Sequence, residues 1–161
     1  MNRTKMLLKS FAKPRKFEVL SELKINYKGE EHTFDNILLG EFGVLILTRF
    51  DKAGELYGNV SDQNFVLIDR KNKRIPCENL QNKAEKGETL LRKIVSDNKI
   101  YNVKIESAII IENKNCKPMI TVEKEVFDLK SLKKHLAQPK FDTDNKMDVN
   151  AVISALTQNK I

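Results

Sequence analysis

Two apolar runs joined by one glycine-bounded turn constrain this chain more than any other feature. Thr33 to Leu39 and Val44 to Phe50 are nearly continuous in hydrophobic residues, and Gly40-Glu41-Phe42-Gly43 connects them. Runs of that length bounded by turn residues read as the two strands of a hairpin. Without polar alternation, both faces of the strands must be buried, so helices are predicted on both sides of the sheet. One carboxylate, Asp35, sits at the start of the first strand, and the second ends in Thr48, Arg49 and Phe50.

Around this hairpin the periodicity switches between strand and helix. Phe17, Val19, Leu23, Ile25 and Tyr27 alternate with polar residues and predict a preceding strand. Gly54 and Gly58 bracket a short strand at Glu55-Leu56-Tyr57, and Phe65 to Ile68 and Arg74 to Pro76 flank a basic hairpin tip. Leu80, Ala84, Gly87, Leu91, Ile94 and Val95 recur at spacings near 3.6, predicting a helix over 78–95 with one buried face. A strand over 101–112 follows, with Ala108 to Ile111 in the sheet interior, then a short extended piece at 119–122. A helix over 128–136, a polar loop over 138–147 and a helix over 148–156 complete the pattern. It reads as one α/β domain over 17–161, preceded by a basic segment over 1–16.

At 161 residues, 40% hydrophobic and 32% charged, the chain is long enough for a single domain with its own core. The 29 Lys and Arg residues against 22 Asp and Glu leave a net charge of +7. That surplus suits nucleic acid or an anionic membrane surface, and equally the general basicity of Lys- and Asn-rich chains of bacterial type. Cys77 and Cys116 have no CxxC spacing and no histidine at ligand spacing, so free thiols in a reducing, cytoplasmic setting are expected rather than a zinc site. No segment approaches the ~18 apolar residues of a membrane span. Residues 1–17 carry Arg3, Lys5, Lys9, Lys13, Arg15 and Lys16 with no acid, and too short an apolar run for a signal peptide. They read as an amphipathic helix lying on phosphates or anionic lipid, or as a helix packing Leu7, Leu8 and Phe11 on the domain; Pro14 stops either.

The order strand, hairpin, helix, strand, helices, with the residues at its joints, resembles the nuclease-related domain (NERD) family. That family belongs to the restriction-endonuclease-like superfamily, known by its PD-(D/E)XK motif. Phe34-Asp35-Asn36-Ile37-Leu38-Leu39 resembles the family's isoleucine-aspartate-histidine strand, and Gly43-Val44-Leu45-Ile46-Leu47 its glycine-led second strand. Gly54-Glu55-Leu56-Tyr57-Gly58 is similar to the paired-glycine segment, and Asn79-Leu80-Gln81-Asn82 to the glutamine motif opening the helix. Phe65 stands where the family often has tryptophan. The resemblance implies a central mixed sheet flanked by helices, a remnant catalytic pair at Asp35 and Gln81, and a metal ligand in Asp35.

Nucleases of this type need two carboxylates converging on Mg²⁺ and a lysine two residues after the second acid, on the same strand face. Thr48 and Phe50 occupy those two positions here, and residues 1–16 contain no glutamate to match the family's upstream helix. Loss of both groups removes most of the ~3 kcal/mol or more that such electrostatics supply, so catalysis is not expected. A migrated site is the alternative. Glu78, Gln81 and Glu85 fall three and four residues apart, so Glu78 or Glu85 could replace the acid and Lys83 or Arg49 the base; such spacing also describes an ordinary solvated helix face. Mg²⁺ or Mn²⁺ would be required only in that case, and no other cofactor is expected.

Arg70, Lys71, Lys73 and Arg74 form the densest basic cluster and, with Lys13, Arg15 and Lys16, are the candidate nucleic-acid contacts; a solvated turn is the alternative. His32 and His135 have no matching partners and are expected on the surface. The reading of the whole is a catalytically silent nuclease-fold module binding nucleic acid through a basic surface. A protein-interaction scaffold and a weak metal-dependent nuclease are the alternatives.

Overall fold

The computed structural model describes residues 1–161 and contains nine strands in two mixed sheets, flanked by four helices. Helix α1 (Arg3–Ala12) starts at Asn2, whose side chain accepts the Lys5 N–H. It ends in a 3₁₀ turn at Lys13–Arg15, where Pro14 removes a donor, and Lys16 reverses the chain at φ +58°. Strands β1 (Glu18–Tyr27), β2 (Glu30–Gly40) and β3 (Gly43–Phe50) form an antiparallel meander. β4 (Gly54–Asn59), β5 (Asn64–Ile68) and β6 (Arg74–Glu78) then build a second sheet. Helix α2 (Leu80–Asp97) carries the chain back so that β7 (Ile105–Ile111) lies parallel to β3. β8 (Cys116–Thr121) pairs in parallel with β4, and β9 (Val126–Phe127) in parallel with β7. Helices α3 (Leu129–Leu136) and α4 (Val149–Thr157) follow. The strand orders are β1-β2-β3-β7-β9 and β6-β5-β4-β8.

The apolar hairpin is buried on both faces, as its lack of alternation requires. Ile37, Leu39, Val44 and Ile46 meet Leu90, Leu91 and Ile94 of α2 and Val152 and Leu156 of α4. On the other face Leu38, Leu45 and Leu47 meet Leu8 and Ala12 of α1, Leu132 and Leu136 of α3, and Phe141. The basic segment at the start of the chain therefore contributes to the core of the domain through Leu8, with Leu7 and Phe11 packed partly against it. A third cluster joins the sheets: Leu56, Phe65 and Leu67 pack on Phe50, Ile109 and Ile111, with Leu80 and Ala84 of α2 beneath.

Edges are managed by proline and by the last residues. Pro76 and Pro118 lie in β6 and β8, the edge strands of the second sheet, where a missing donor interrupts no central ladder. Along β1, the Asn26 N–H bonds to the Asn159 carbonyl and the Ile161 N–H to the Lys24 carbonyl.

Three expectations change. The helix predicted over 78–95 begins at Leu80, because Asn79 caps it by accepting the Asn82 N–H, while Glu78 is still paired in β6 with Asn64. The polar loop over 138–147 contains a 3₁₀ turn at Pro139–Asp142 and buries Phe141 and Met147, single apolar residues that carry no periodicity in sequence. His32 and His135, expected on the surface, are both buried.

Candidate functional site

Asp35 sits where β2 breaks phase. Phe34, Ile37 and Leu39 enter the same core cluster although Phe34 and Ile37 are three apart, so the strand shifts faces at Asp35 and Asn36. The β1 residue opposite, Glu22, takes a positive φ of 51°, and its rung is missing from the ladder. The β2–β3 ladder itself stops at Asn36 and Leu47. Beyond it the Asp35 carboxylate takes over, accepting the Arg49 N–H at 2.9 Å. Lys83 of α2 closes on both carboxylate oxygens at 3.0 Å, and both side chains are less than one-fifth exposed. A carboxylate held this way is neutralised and geometrically occupied.

The other residues of the expected site do not join it. Gln81 is buried on a different face of α2, about 200° around the helix from Lys83. Its carbonyl oxygen accepts the Glu123 and Lys124 N–H groups and its amide donates to Glu85, so it pins the connection between β8 and β9. Glu85 is an exposed residue on that same face. Glu78 is not on the helix at all; it lines an open polar notch with Lys24, Glu31, His32, Thr33, Lys83 and Lys86. Thr48 is buried beside Ile109, and Phe50 is buried among Leu56, Phe65 and Ile111. Of the two replacement bases, Lys83 reaches Asp35, whereas the Arg49 guanidinium points to Glu112 and Asp51.

His32 forms one wall of the notch. It packs edge-on against Phe34, with ring centroids 4.7 Å apart. A β-carbon on Gly87 would fall 2.8 Å from its Nε2, so glycine at 87 is what lets α2 approach. Burial pushes the His32 pKa down to about 4, aided by Lys83 and Lys86 and opposed by Asp35. The unfolded chain binds a proton at His32 near the ordinary value of 6.5 that the folded chain refuses. Stability is therefore expected to fall as the pH drops from 6.5 toward 4, and His32→Gln to flatten that part of the curve. Urea denaturation at pH 7 and about pH 4.5 checks this; an equal acid loss in parent and variant would exclude His32 as its source.

The basic groups fall into two regions. Arg15, between exposed Lys13 and Lys16, stacks on Phe11 and pairs with Asp142 at 3.2 Å, near the turn before β3. Arg70, Lys71, Lys73 and Arg74 are exposed at the β5–β6 tip, which Asp69 shapes by accepting the Lys71 and Lys73 N–H groups at 2.9 Å. That tip packs near Gly54, beyond the far end of β3: a β-carbon on Gly54 would lie 2.5 Å from the Ile68 carbonyl. An eight-residue strand separates the two regions by roughly 25 Å, so they are not one patch.

A cavity of about 520 Å³ lies at the carboxyl ends of β7 and β9, the usual ligand position in open α/β sheets. The helix N-termini beside it are already satisfied. Glu112 accepts the Arg3 and Thr4 N–H groups of α1, and Asp128 and Ser131 cap α3 reciprocally. No helix is long and apolar enough to cross a membrane. Comparison with known protein families, curated proteins and solved structures found no match to this chain.

Proposed function

We propose that this protein is a catalytically silent nuclease-fold module of the nuclease-related, restriction-endonuclease-like type, and that it binds nucleic acid by gripping phosphates. The observation that carries this reading is the state of Asp35, ion-paired to Lys83, with Thr48 and Phe50 buried where the resemblance places the second acid and the lysine. The meander β1-β2-β3, the return through α2 and a fourth strand parallel to β3 support the fold assignment, with the β4–β6 sheet inserted before the helix. Lys83 closes on both Asp35 oxygens, and the nearby carboxylates Glu112 and Asp51 are taken by the Arg49 guanidinium, so a Mg²⁺ or Mn²⁺ ion there would have to displace Lys83.

Phosphate contacts are assigned to the notch lysines Lys24 and Lys86, Lys83 being held by Asp35, and to the tip residues Arg70, Lys71, Lys73 and Arg74. Glu31 and Glu78 share the notch and moderate its charge. Tip and notch lie at opposite ends of β6, about 15 Å apart, a span of four or five phosphates on one strand at about 3.4 Å each. Fluorescence anisotropy with labelled DNA across a salt series tests this. Lys24→Ala/Lys86→Ala and Lys71→Ala/Lys73→Ala are each expected to shallow the salt slope by about 2, without changing sequence preference. The oligonucleotide should stay intact with Mn²⁺ present. Cleavage abolished by Asp35→Ala would replace silence with a working nuclease, and absence of binding at low salt would overturn the nucleic-acid reading.

A second reading, protein interaction, is favoured by one surface. Pro76, Val66, Tyr57 and Met119 stand in register across all four strands of the second sheet and form an apolar row on its outer face. Tyr57 is 37% and Met119 46% exposed, and such a row suits a partner surface better than a phosphate backbone.

A further inference from the structure

A second cluster of polar side chains, separate from Asp35, gathers at the buried His135. His135 lies on α3 with its ring between Phe127, centroids 4.7 Å apart, and Phe141, at 5.3 Å. These contacts fix the imidazole so that Nε2 points at Glu106 of β7, 2.6 Å from Oε2. Glu125, on the residue before β9, brings a second carboxylate: ligand atoms of Glu106, Glu125 and His135 all lie within 4.8 Å of one another. No other histidine, cysteine or carboxylate set in the protein converges three at a time.

We infer that Glu106, Glu125 and His135 form a binding site for a divalent transition-metal ion of the zinc type. Imidazole and carboxylate together suit Zn²⁺, and three protein ligands leave a fourth position for water. Two carboxylates balance the charge of the ion. Lys140 holds the other Glu106 oxygen at 2.7 Å, the kind of outer contact that orients a ligating carboxylate. The Glu125 backbone is anchored, its carbonyl accepting the Ile109 N–H at 2.9 Å, while its side chain is exposed and provides the entry path. Without metal, His135 and Glu106 share a hydrogen bond. A bound Zn²⁺ would take the place of the shared proton at Nε2, with the neutral imidazole keeping its ring proton on Nδ1. Glu106 and His135 would then move apart from 2.6 Å to about 3.3 Å, the separation of tetrahedral ligands near 2.0 Å. A cavity of about 260 Å³ borders Glu106, Lys140 and Phe141 and gives room for this movement.

The test is titration of the full chain with Co²⁺, followed by visible absorption, and with Zn²⁺, followed by calorimetry. One ion per chain is expected, with a tetrahedral Co²⁺ spectrum that Zn²⁺ abolishes. Glu125→Gln, at an exposed position that folding does not need, should weaken binding about tenfold or more, and Glu106→Gln likewise, while Asp35→Ala leaves it unchanged. Absence of binding up to about 1 mM, or binding that both glutamine variants retain with an unaltered Co²⁺ spectrum, would overturn the site.

Discussion

Replacing Glu112 with glutamine is expected to cost about 2–3 kcal/mol of stability at neutral pH and almost nothing near pH 2. Glu112 follows β7, is 5% exposed, and ties three elements at once. It pairs with the Arg49 guanidinium from β3, and accepts the Arg3 N–H, the Thr4 N–H and the Thr4 hydroxyl at the start of α1. Helix α1 has no acid in its own first turn, so this carboxylate from a distant strand complements its dipole. Burial pushes the Glu112 pKa up, but Arg49 and the Arg3 and Thr4 donors outweigh it and carry it from 4.5 down to about 2. A depressed carboxylate contributes fully above 4.5 and loses its contribution as the pH falls through 2. Arg49 remains partly exposed and keeps Asp51 at 3.3 Å, so losing the Glu112 charge costs no more than the low end for a broken buried pair. In a domain of this size the neutral-pH melting temperature should drop by about 4–12 °C. Parallel melting curves for parent and variant at every pH would show that the carboxylate's charge is not the source.

Gly43→Ala is expected to be at least as damaging, at about 3 kcal/mol or more. Gly43 opens β3 at φ +132°, a conformation L-residues rarely adopt. An added β-carbon would lie 2.3 Å from the Lys104 carbonyl oxygen, which is not free to retreat, because it accepts the Val44 N–H at 2.8 Å. The substitution therefore strains the backbone and separates β3 from the chain entering β7, the parallel pairing on which the central sheet depends. Chemical denaturation should show a lower midpoint with an unchanged slope. A variant melting within about 1 °C of the parent would mean that the turn relaxes freely.

These two positions mark how much was legible in the chain. A glycine leading the second apolar strand is visible in sequence, but the reason for it is a carbonyl some 60 residues away, which no local pattern announces. The helix over α2 was legible because Leu80, Ala84, Gly87, Leu91 and Ile94 repeat at its period. Its first residue was not, since Glu78 and Asn79 differ only in that Asn79 caps and Glu78 pairs with Asn64. At the expected site the helix spacing turned the Gln81 face toward Asp35 and offered Lys83 only as a replacement base; the face that meets Asp35 is the one carrying Lys83, which binds it as an ion-pair partner. Gln81 was not legible as a clamp, because the two N–H groups it binds lie over 40 residues downstream.

By itself the sequence determined the alternation of strand and helix, the doubly buried hairpin and the helices on both of its faces. Those follow from periodicity among near neighbours, and every residue needed is within a turn or a strand of the next. Only the tertiary structure decided the company each charged side chain keeps. Lys83 meets Asp35 across 48 residues, His135 meets Glu106 across 29, and Arg3 meets Glu112 across 109. Such meetings depend on strand register and on how each helix docks. A shift of one residue would turn Asp35 or Glu106 to the opposite face of its sheet and dissolve both sites.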